Sequence, residues 1–185
     1  MNTLSLVHEH LQSWIHPGDF VIDATAGNGK DTEFLCGLVG REGKVLAFDI
    51  QEQAVENTRQ RLQEHGWSDV GEVVLDSHAN MDKYAQENSV DCIVFNLGWL
   101  PGGDHTVFTH ADSTIAAIEA GLKLLRKDGV MCVSIYYGGA SGYEERDALL
   151  EYVKMIDPAQ YTVLVTQFAN RAGDPPIPVF IHKAT

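Results

Sequence analysis

The chain has 185 residues, 44% of them hydrophobic and 21% charged, and a formal charge of −13. That suits one folded domain, residues 1–185, large enough to bury roughly 70% of its unfolded surface without staples. The acidic balance disfavours a surface built for nucleic-acid phosphates, so composition alone points to a small-molecule substrate. Basic residues occur in small groups: Lys123, Arg126 and Lys127, then Arg59 and Arg61, which read as solvated helix surface, and Arg171 in a late loop. Cys36, Cys92 and Cys132 are odd in number, sit in apolar stretches and form no C-x-x-C. They read as buried thiols of a reducing compartment, not as disulfides or metal ligands. With no cationic leader and no apolar run of about 18 residues, the expected location is the cytoplasm, with no membrane partner.

In chain order, Leu4, Val7, His8, Leu11, Trp14 and Ile15 recur at helical spacing, which predicts a lead helix over 3–15 that Pro17-Gly18 stops. A short strand over 20–22 ends in the acid Asp23 and is followed by a small-residue turn, 24–29, and a helix over 31–39. A second strand, 44–48, ends at Asp49, and a helix over 51–65 follows. Residues 73–75 form a third strand, and a weak helix covers 79–86. The apolar run 92–95 is a strand buried on both faces, and helix 113–125 and strand 130–136 come next. After helix 143–156 the pattern changes. Strands 161–168 and 179–182 have no helix between them, which predicts an antiparallel hairpin. Five βα repeats closed by a hairpin give an α/β fold. It is Rossmann-like, with a mostly parallel seven-stranded sheet, helices on both faces and the class I methyltransferase layout.

The stretch D-F-V-I-D-A-T-A-G-N-G-K-D-T is the first half of a nucleotide-cofactor βαβ unit. A dinucleotide site wants G-x-G-x-x-G so that a helix N-terminus can approach a pyrophosphate. Here Gly27 and Gly29 are followed by Thr32, and the strand before them ends in a carboxylate. An anion there repels phosphate and suits a cation. S-adenosylmethionine (SAM) carries an ammonium and a sulfonium and no phosphate, so it is favoured over NAD. The bland reading is an ordinary tight turn.

Ligands in open α/β sheets lie beyond the carboxyl ends of the strands. The candidates for the cofactor there are Asp23, Gly27, Asn28, Gly29 and Asp31 after the first strand, and Asp49 and Gln51 after the second. Ser77 and His78 follow the third. Asp49, about 20 residues beyond Gly29, is placed to accept from ribose hydroxyls. Gln51 can support the ribose or adenine edge, and Ser77 or His78 can meet the adenine. For His78 a plain surface-loop position is an equal alternative.

The fourth strand runs into Asn96-Leu97-Gly98-Trp99, where many SAM enzymes that methylate an amino group carry (Asp/Asn/Ser)-Pro-Pro-aromatic. Methyl transfer is an in-line displacement needing a nitrogen lone pair about 3 Å from the methyl carbon. An amide oxygen can accept from the amine N–H and turn that lone pair inward, and an aromatic ring can stack on a flat substrate. Asn96 is thus a catalytic candidate, with Gly98 and Trp99 as substrate contacts. The bland reading is a strand-ending Asn beside a core Trp. Asp104 or His105 can take a proton from an ammonium substrate. Asp104, His105, His110 and Asp112 match no standard metal spacing, and no metal is expected. No G-x-S-x-G elbow occurs.

Together D-A-T-A-G-N-G-K-D-T, A-F-D-I-Q, D-S-H-A-N-M-D-K-Y and N-L-G-W-L-P-G-G-D-H resemble the small bacterial rRNA methylase family of class I SAM-dependent methyltransferases. The likeness covers nearly the whole chain. It implies SAM as methyl donor, a homodimer, and a primary amine on tRNA as acceptor. Characterised members resemble the enzyme that methylates the aminomethyl group of 5-aminomethyl-2-thiouridine at the wobble position, so the anticodon region is the implied partner. By position, the resemblance puts Asn28 and Gly29 at the methionine part, Asp49 and Gln51 at the ribose and Ser77 and His78 at the adenine. Asn96 would face the reacting groups. Trp99 stands where tyrosine is more usual, and loop 170–176 is less typical. Methylation of another RNA (rRNA) or of a small amine are the nearer alternatives. A nucleotide-binding module without catalysis is the more distant one.

Overall fold

The computed structural model describes residues 1–97, 111–137 and 142–185. Helix α1 (Thr3–Trp14) starts at a capping box between Asn2 and Ser5, which satisfies two of its free N–H groups. Strand β1 (Phe20–Asp23), helix α2 (Lys30–Val39), strand β2 (Lys44–Asp49), helix α3 (Glu52–Glu64) and strand β3 (Gly71–Leu75) follow. The second half has β4 (Val90–Leu97), α4 (Ala111–Leu124), β5 (Leu125–Ile135), α5 (Gly142–Lys154), β6 (Tyr161–Val165) and β7 (Ile177–Lys183).

The seven strands form one sheet in the order β3-β2-β1-β4-β5-β7-β6. Pairs within the first five are parallel, and β7 runs antiparallel to both β5 and β6. The expected terminal hairpin therefore folds back, so that its second strand fills the place beside β5. From β1 the chain moves outward to β3, then returns to the other side of β1 for β4. The carboxyl ends of β1 and β4 flank that reversal, the place where ligands of open α/β sheets lie.

Alternation along each strand sorts the core into two layers. Ile22, Leu46, Ile93, Phe95 and Met131 pack with Ile118 of α4 and with Leu149 and Val153 of α5. Their neighbours Val21, Val45, Cys92, Val94 and Cys132 face the other way. They meet Val7 and Leu11 of α1, Leu35 and Val39 of α2, and Leu62 of α3. The cysteines are free and buried, and burial pushes the thiols of Cys36 and Cys132 up to about 12 and that of Cys92 well above its usual value. Buried Lys183 donates to Asn88 Oδ1 and to the carbonyls of Leu122 and Leu125, at 2.9, 3.2 and 2.8 Å. A cation at the C-terminus of α4 is favoured by the helix dipole.

Three expectations need correction. The stretch 79–86 is a 3-10 helix over His78–Lys83 instead, because Ser77 caps it and Asp76 draws in Asn80 and Tyr84. Strand β5 begins at Leu125, well before residue 130. Arg126 is not simply solvated: it is ion-paired with Asp91, which also accepts from the N–H of Phe20 at 2.8 Å. Among the described residues no helix is long and apolar enough to cross a membrane.

Candidate active site

At the end of β1, Asp23 is fully buried. One carboxylate oxygen accepts from the Thr32 hydroxyl at 2.7 Å and the other from the Thr25 N–H at 3.1 Å, tying the first turn of α2 to the strand. Burial, and next the charge of Asp31, push its pKa up to about 7. The sequence suggests Asp23 as an anion open to a cationic ligand. The structure puts it beneath the turn, fully buried and closed off from contact with a ligand.

The turn itself depends on left-handed glycines, Gly27 at φ 57° and Gly29 at φ 83°. A Cβ on Gly29 would lie 2.9 Å from the Cα of Thr58 in α3. Side chains of α3 hold the turn from outside. Thr58 donates to the Gly27 carbonyl, Arg61 to the Asn28 carbonyl and Asn57 to the Asn28 side-chain oxygen, each at 3.0 Å. Asn28 thus points its side-chain oxygen at α3, and Arg61, read from sequence as helix surface, is part of the support. Sequence reasoning missed all three as supports; Thr58 lies on the buried face of α3 with Ala54, Val55 and Leu62, where it looks like one more core position.

Asp49 closes the other side. Its oxygens accept from the N–H groups of Gly27 and Gln51, both at 3.0 Å, and each keeps a lone pair for an outside donor. Beside it Ile50 is 58% exposed, and at the tip of β3 Leu75 is 48% exposed. A fixed acceptor flanked by uncovered apolar side chains fits a ribose diol next to a flat base. At that tip Asp76 accepts from Tyr84 and Asn80, which hold its carboxyl below the usual range, and from the Ser77 N–H. The Ser77 hydroxyl oxygen caps Ala79 N–H at 3.2 Å. His78 is buried, which rules out the surface-loop alternative. Burial lowers its pKa to about 4, so it is neutral. With Nδ1 3.2 Å from the carbonyl of Ala24, Nδ1 carries the proton and Nε2 is the acceptor.

Across the crevice, the Asn96 N–H donates to Thr25 Oγ1 at 2.7 Å. Its side-chain Nδ2 donates to one oxygen of Asp31. The other oxygen of Asp31 faces His8 Nε2 at 3.0 Å, and the His8 ring stacks on Phe34 at 3.9 Å between centroids. A carboxylate only accepts, so this contact orients the Asn96 amide with Nδ2 inward and leaves Oδ1 as an acceptor. His8 counted only as one position of the lead-helix stripe in the sequence. Gly98, Trp99, Asp104 and His105 lie outside the described residues. Among the described residues no three His, Cys, Asp or Glu side chains gather around a metal position. The side chains of Asp31 and Asp49 bring acceptor oxygens to the strand tips around this turn, an arrangement that fits a cationic nucleoside better than a phosphate.

This sheet order, with a glycine turn after β1 and an acid at the tip of β2, defines a class I SAM-dependent methyltransferase. Within that class, the chain belongs to the family described as "Putative rRNA methylase", whose model matches residues 45–182. A crystal structure named as an rRNA-methylase from Clostridium thermocellum superposes with a TM-score of 0.96 at 43% identity, covering 99% of this chain and 98% of that one. A Streptococcus mutans methyltransferase crystallised in complex with SAH gives 0.89 at 36% identity, covering 99% and 98%. The chloroplastic tRNA (mnm(5)s(2)U34)-methyltransferase of Arabidopsis thaliana is 33% identical over 187 residues, 96% of this chain and 68% of that one.

Proposed function

We propose that this SAM-dependent methyltransferase acts on tRNA, methylating the aminomethyl nitrogen of 5-aminomethyl-2-thiouridine at the wobble position. The observation that carries the amine chemistry is the Asp31–Asn96 contact, which leaves an amide oxygen at the strand tip to accept from an amine N–H. The tRNA part is supported by the whole-chain likeness to the chloroplastic enzyme. Part of the chain, 42% of it, is also 37% identical to a Ribosomal RNA small subunit methyltransferase H from Polynucleobacter asymbioticus, spanning 23% of that protein. That supports rRNA as the second reading.

The backbone around Gly27, Asn28 and Gly29 would hold the methionine part, Asp49 and Gln51 the ribose, and Ser77, His78 and Ile50 the surroundings of the adenine. Bound SAM supplies an electrophilic methyl group on a sulfonium. Asn96 Oδ1 accepts from the substrate amine and fixes its lone pair along the line of transfer. As the N–C bond would form and the methyl–sulfur bond break, releasing the neutral thioether, the nitrogen would shed a proton to water or to Asp104 or His105. Positioning supplies most of the rate. The test is mass spectrometry of tRNA nucleosides after incubating demodified tRNA with enzyme and SAM. Conversion of 5-aminomethyl-2-thiouridine to its methylated form is expected. Methylation of rRNA alone would replace this reading with the second one.

A further inference from the structure

We propose that the cleft between Tyr137 and the 166–176 loop receives a single-stranded nucleotide of the RNA substrate, stacking its base on a row of aromatic rings and guanidinium groups. This rests on the RNA reading above. The sheet register sets the place. Asn96 pairs with Ser134 across β4 and β5, and the Tyr136 N–H donates to the Leu97 carbonyl at 3.2 Å, so Tyr137 stands just beyond the rim that carries Asn96. Strand β7 is antiparallel to β5 with Ile177 opposite Ile135. The residues before Ile177 therefore reach the same rim.

The cleft has a volume of about 160 Å³ and is lined by Tyr137, Phe168, Arg171, Pro175 and Pro176. That is small beside ordinary ligand pockets, roughly 300 Å³ and upward, and suits one flat ring. The guanidinium of Arg171 lies 4.1 Å from the centre of the Phe168 ring. Arg146 lies 4.8 Å from both Tyr137 and Tyr143, whose rings meet edge to face at 5.6 Å. A guanidinium plane stacked on a ring keeps its outer face for a base and its edge for a phosphate. Arg146 also pairs with Asp147, and Asp174 is engaged by the Tyr143 hydroxyl. Arg171 is exposed and has no carboxylate partner among the described residues. On a chain of charge −13, such a cation next to stacking surfaces gives an RNA phosphate a partner. An acidic peptide would use the charge but not the row of rings.

The test is fluorescence anisotropy with a synthetic anticodon stem–loop carrying 5-aminomethyl-2-thiouridine, at several salt concentrations, using the full-length protein and Arg171→Ala, Arg171→Lys and Phe168→Ala. Arg171→Ala is expected to bind about tenfold more weakly and to lower the salt slope by about one. Arg171→Lys should keep the slope and recover only part of the affinity, because it retains charge without a stacking plane. The loss should fall on KM for RNA, with SAM affinity by calorimetry unaffected. If the parent methylates the stem–loop and both Arg171→Ala and Phe168→Ala bind it equally well, the cleft assignment fails alone. If the parent methylates a small amine and binds no RNA, the RNA reading fails and this inference with it.

Discussion

The side-chain amide of Asn96 is fixed by a carboxylate 65 residues away, that of Asp31 at the start of α2. One helix thereby couples the glycine turn to the proposed methyl-accepting site. The same carboxylate is held from behind by His8, so the lead helix braces the site as well as covering the sheet.

Removing that brace should separate turnover from cofactor binding. Asn96→Ala is expected to lower single-turnover methylation by roughly a hundredfold, the scale of losing one positioned polar group, with SAM affinity nearly intact. Asp31→Ala should give a similar loss of rate, because the freed amide can rotate, and, unlike Asn96→Ala, weaker SAM binding as well, because it removes a carboxylate from the cofactor rim. Calorimetry with SAM beside a tRNA methylation assay checks both. Unchanged turnover in Asn96→Ala would remove it from the mechanism.

Asp49 behaves differently. Its replacement by alanine leaves the N–H groups of Gly27 and Gln51 without their acceptor. Hydrogen bonds to a charged group are worth about 1.5–3 kcal/mol each. SAM affinity should drop at least tenfold by calorimetry, and equal affinity would contradict the ribose assignment.

Gly29→Ala should fail for steric reasons. The residue would have to keep φ at 83° with its Cβ 2.9 Å from a backbone atom of α3. The left-handed conformation costs about 1–2 kcal/mol, and forcing α2 and α3 apart adds about 1–3 kcal/mol. A lower urea midpoint together with weakened SAM binding is expected. A parent-like midpoint would show that α3 yields without cost.

What the sequence made legible was whatever repeats locally. Apolar runs marked every strand, and the strand-ending polar residues at 23, 49, 76 and 96 marked the crevice. The early start of β5 was hidden, because Arg126 and Lys127 look like solvated helix surface, while Leu125 already pairs with Val90 ahead of an irregularity and the regular register resumes only at Val130. Contacts made between distant segments left no pattern at all. His8 is one of several similar positions on an amphipathic helix until Asp31, 23 residues on, arrives beside it. Thr58 fits an apolar stripe just as well as it fits a clamp on the Gly27 carbonyl. The burial of Asp23 was equally invisible, since a strand-ending acid can face either ligand or core.

That burial makes a prediction about pH with a counterweight close by. Asp23 rises from 3.8 to about 7 through burial and the facing carboxylates of Asp31 and Asp49. Between those values the unfolded chain has released the proton and the folded chain still holds it. Its contribution to stability is complete below about pH 4 and is lost as pH rises to about 7, by an amount of order 4 kcal/mol. His78 has the opposite sign. Burial lowers it from 6.5 to about 4, so its contribution is present above pH 6.5 and is lost as pH falls through 4, by an amount of order 3 kcal/mol. Over the same window the two slopes oppose, and the parent curve should look flatter than either residue alone would make it. Single variants expose them. Relative to the parent, Asp23→Asn should gain stability as pH rises from 4.5 to 7.5, and His78→Gln should gain as pH falls across that range. Glu145, also raised to about 7 by burial, is common to all three proteins and drops out of the differences. Urea unfolding at several pH values measures them. A difference between Asp23→Asn and the parent that stays constant with pH would mean that Asp23 ionises normally beneath the turn.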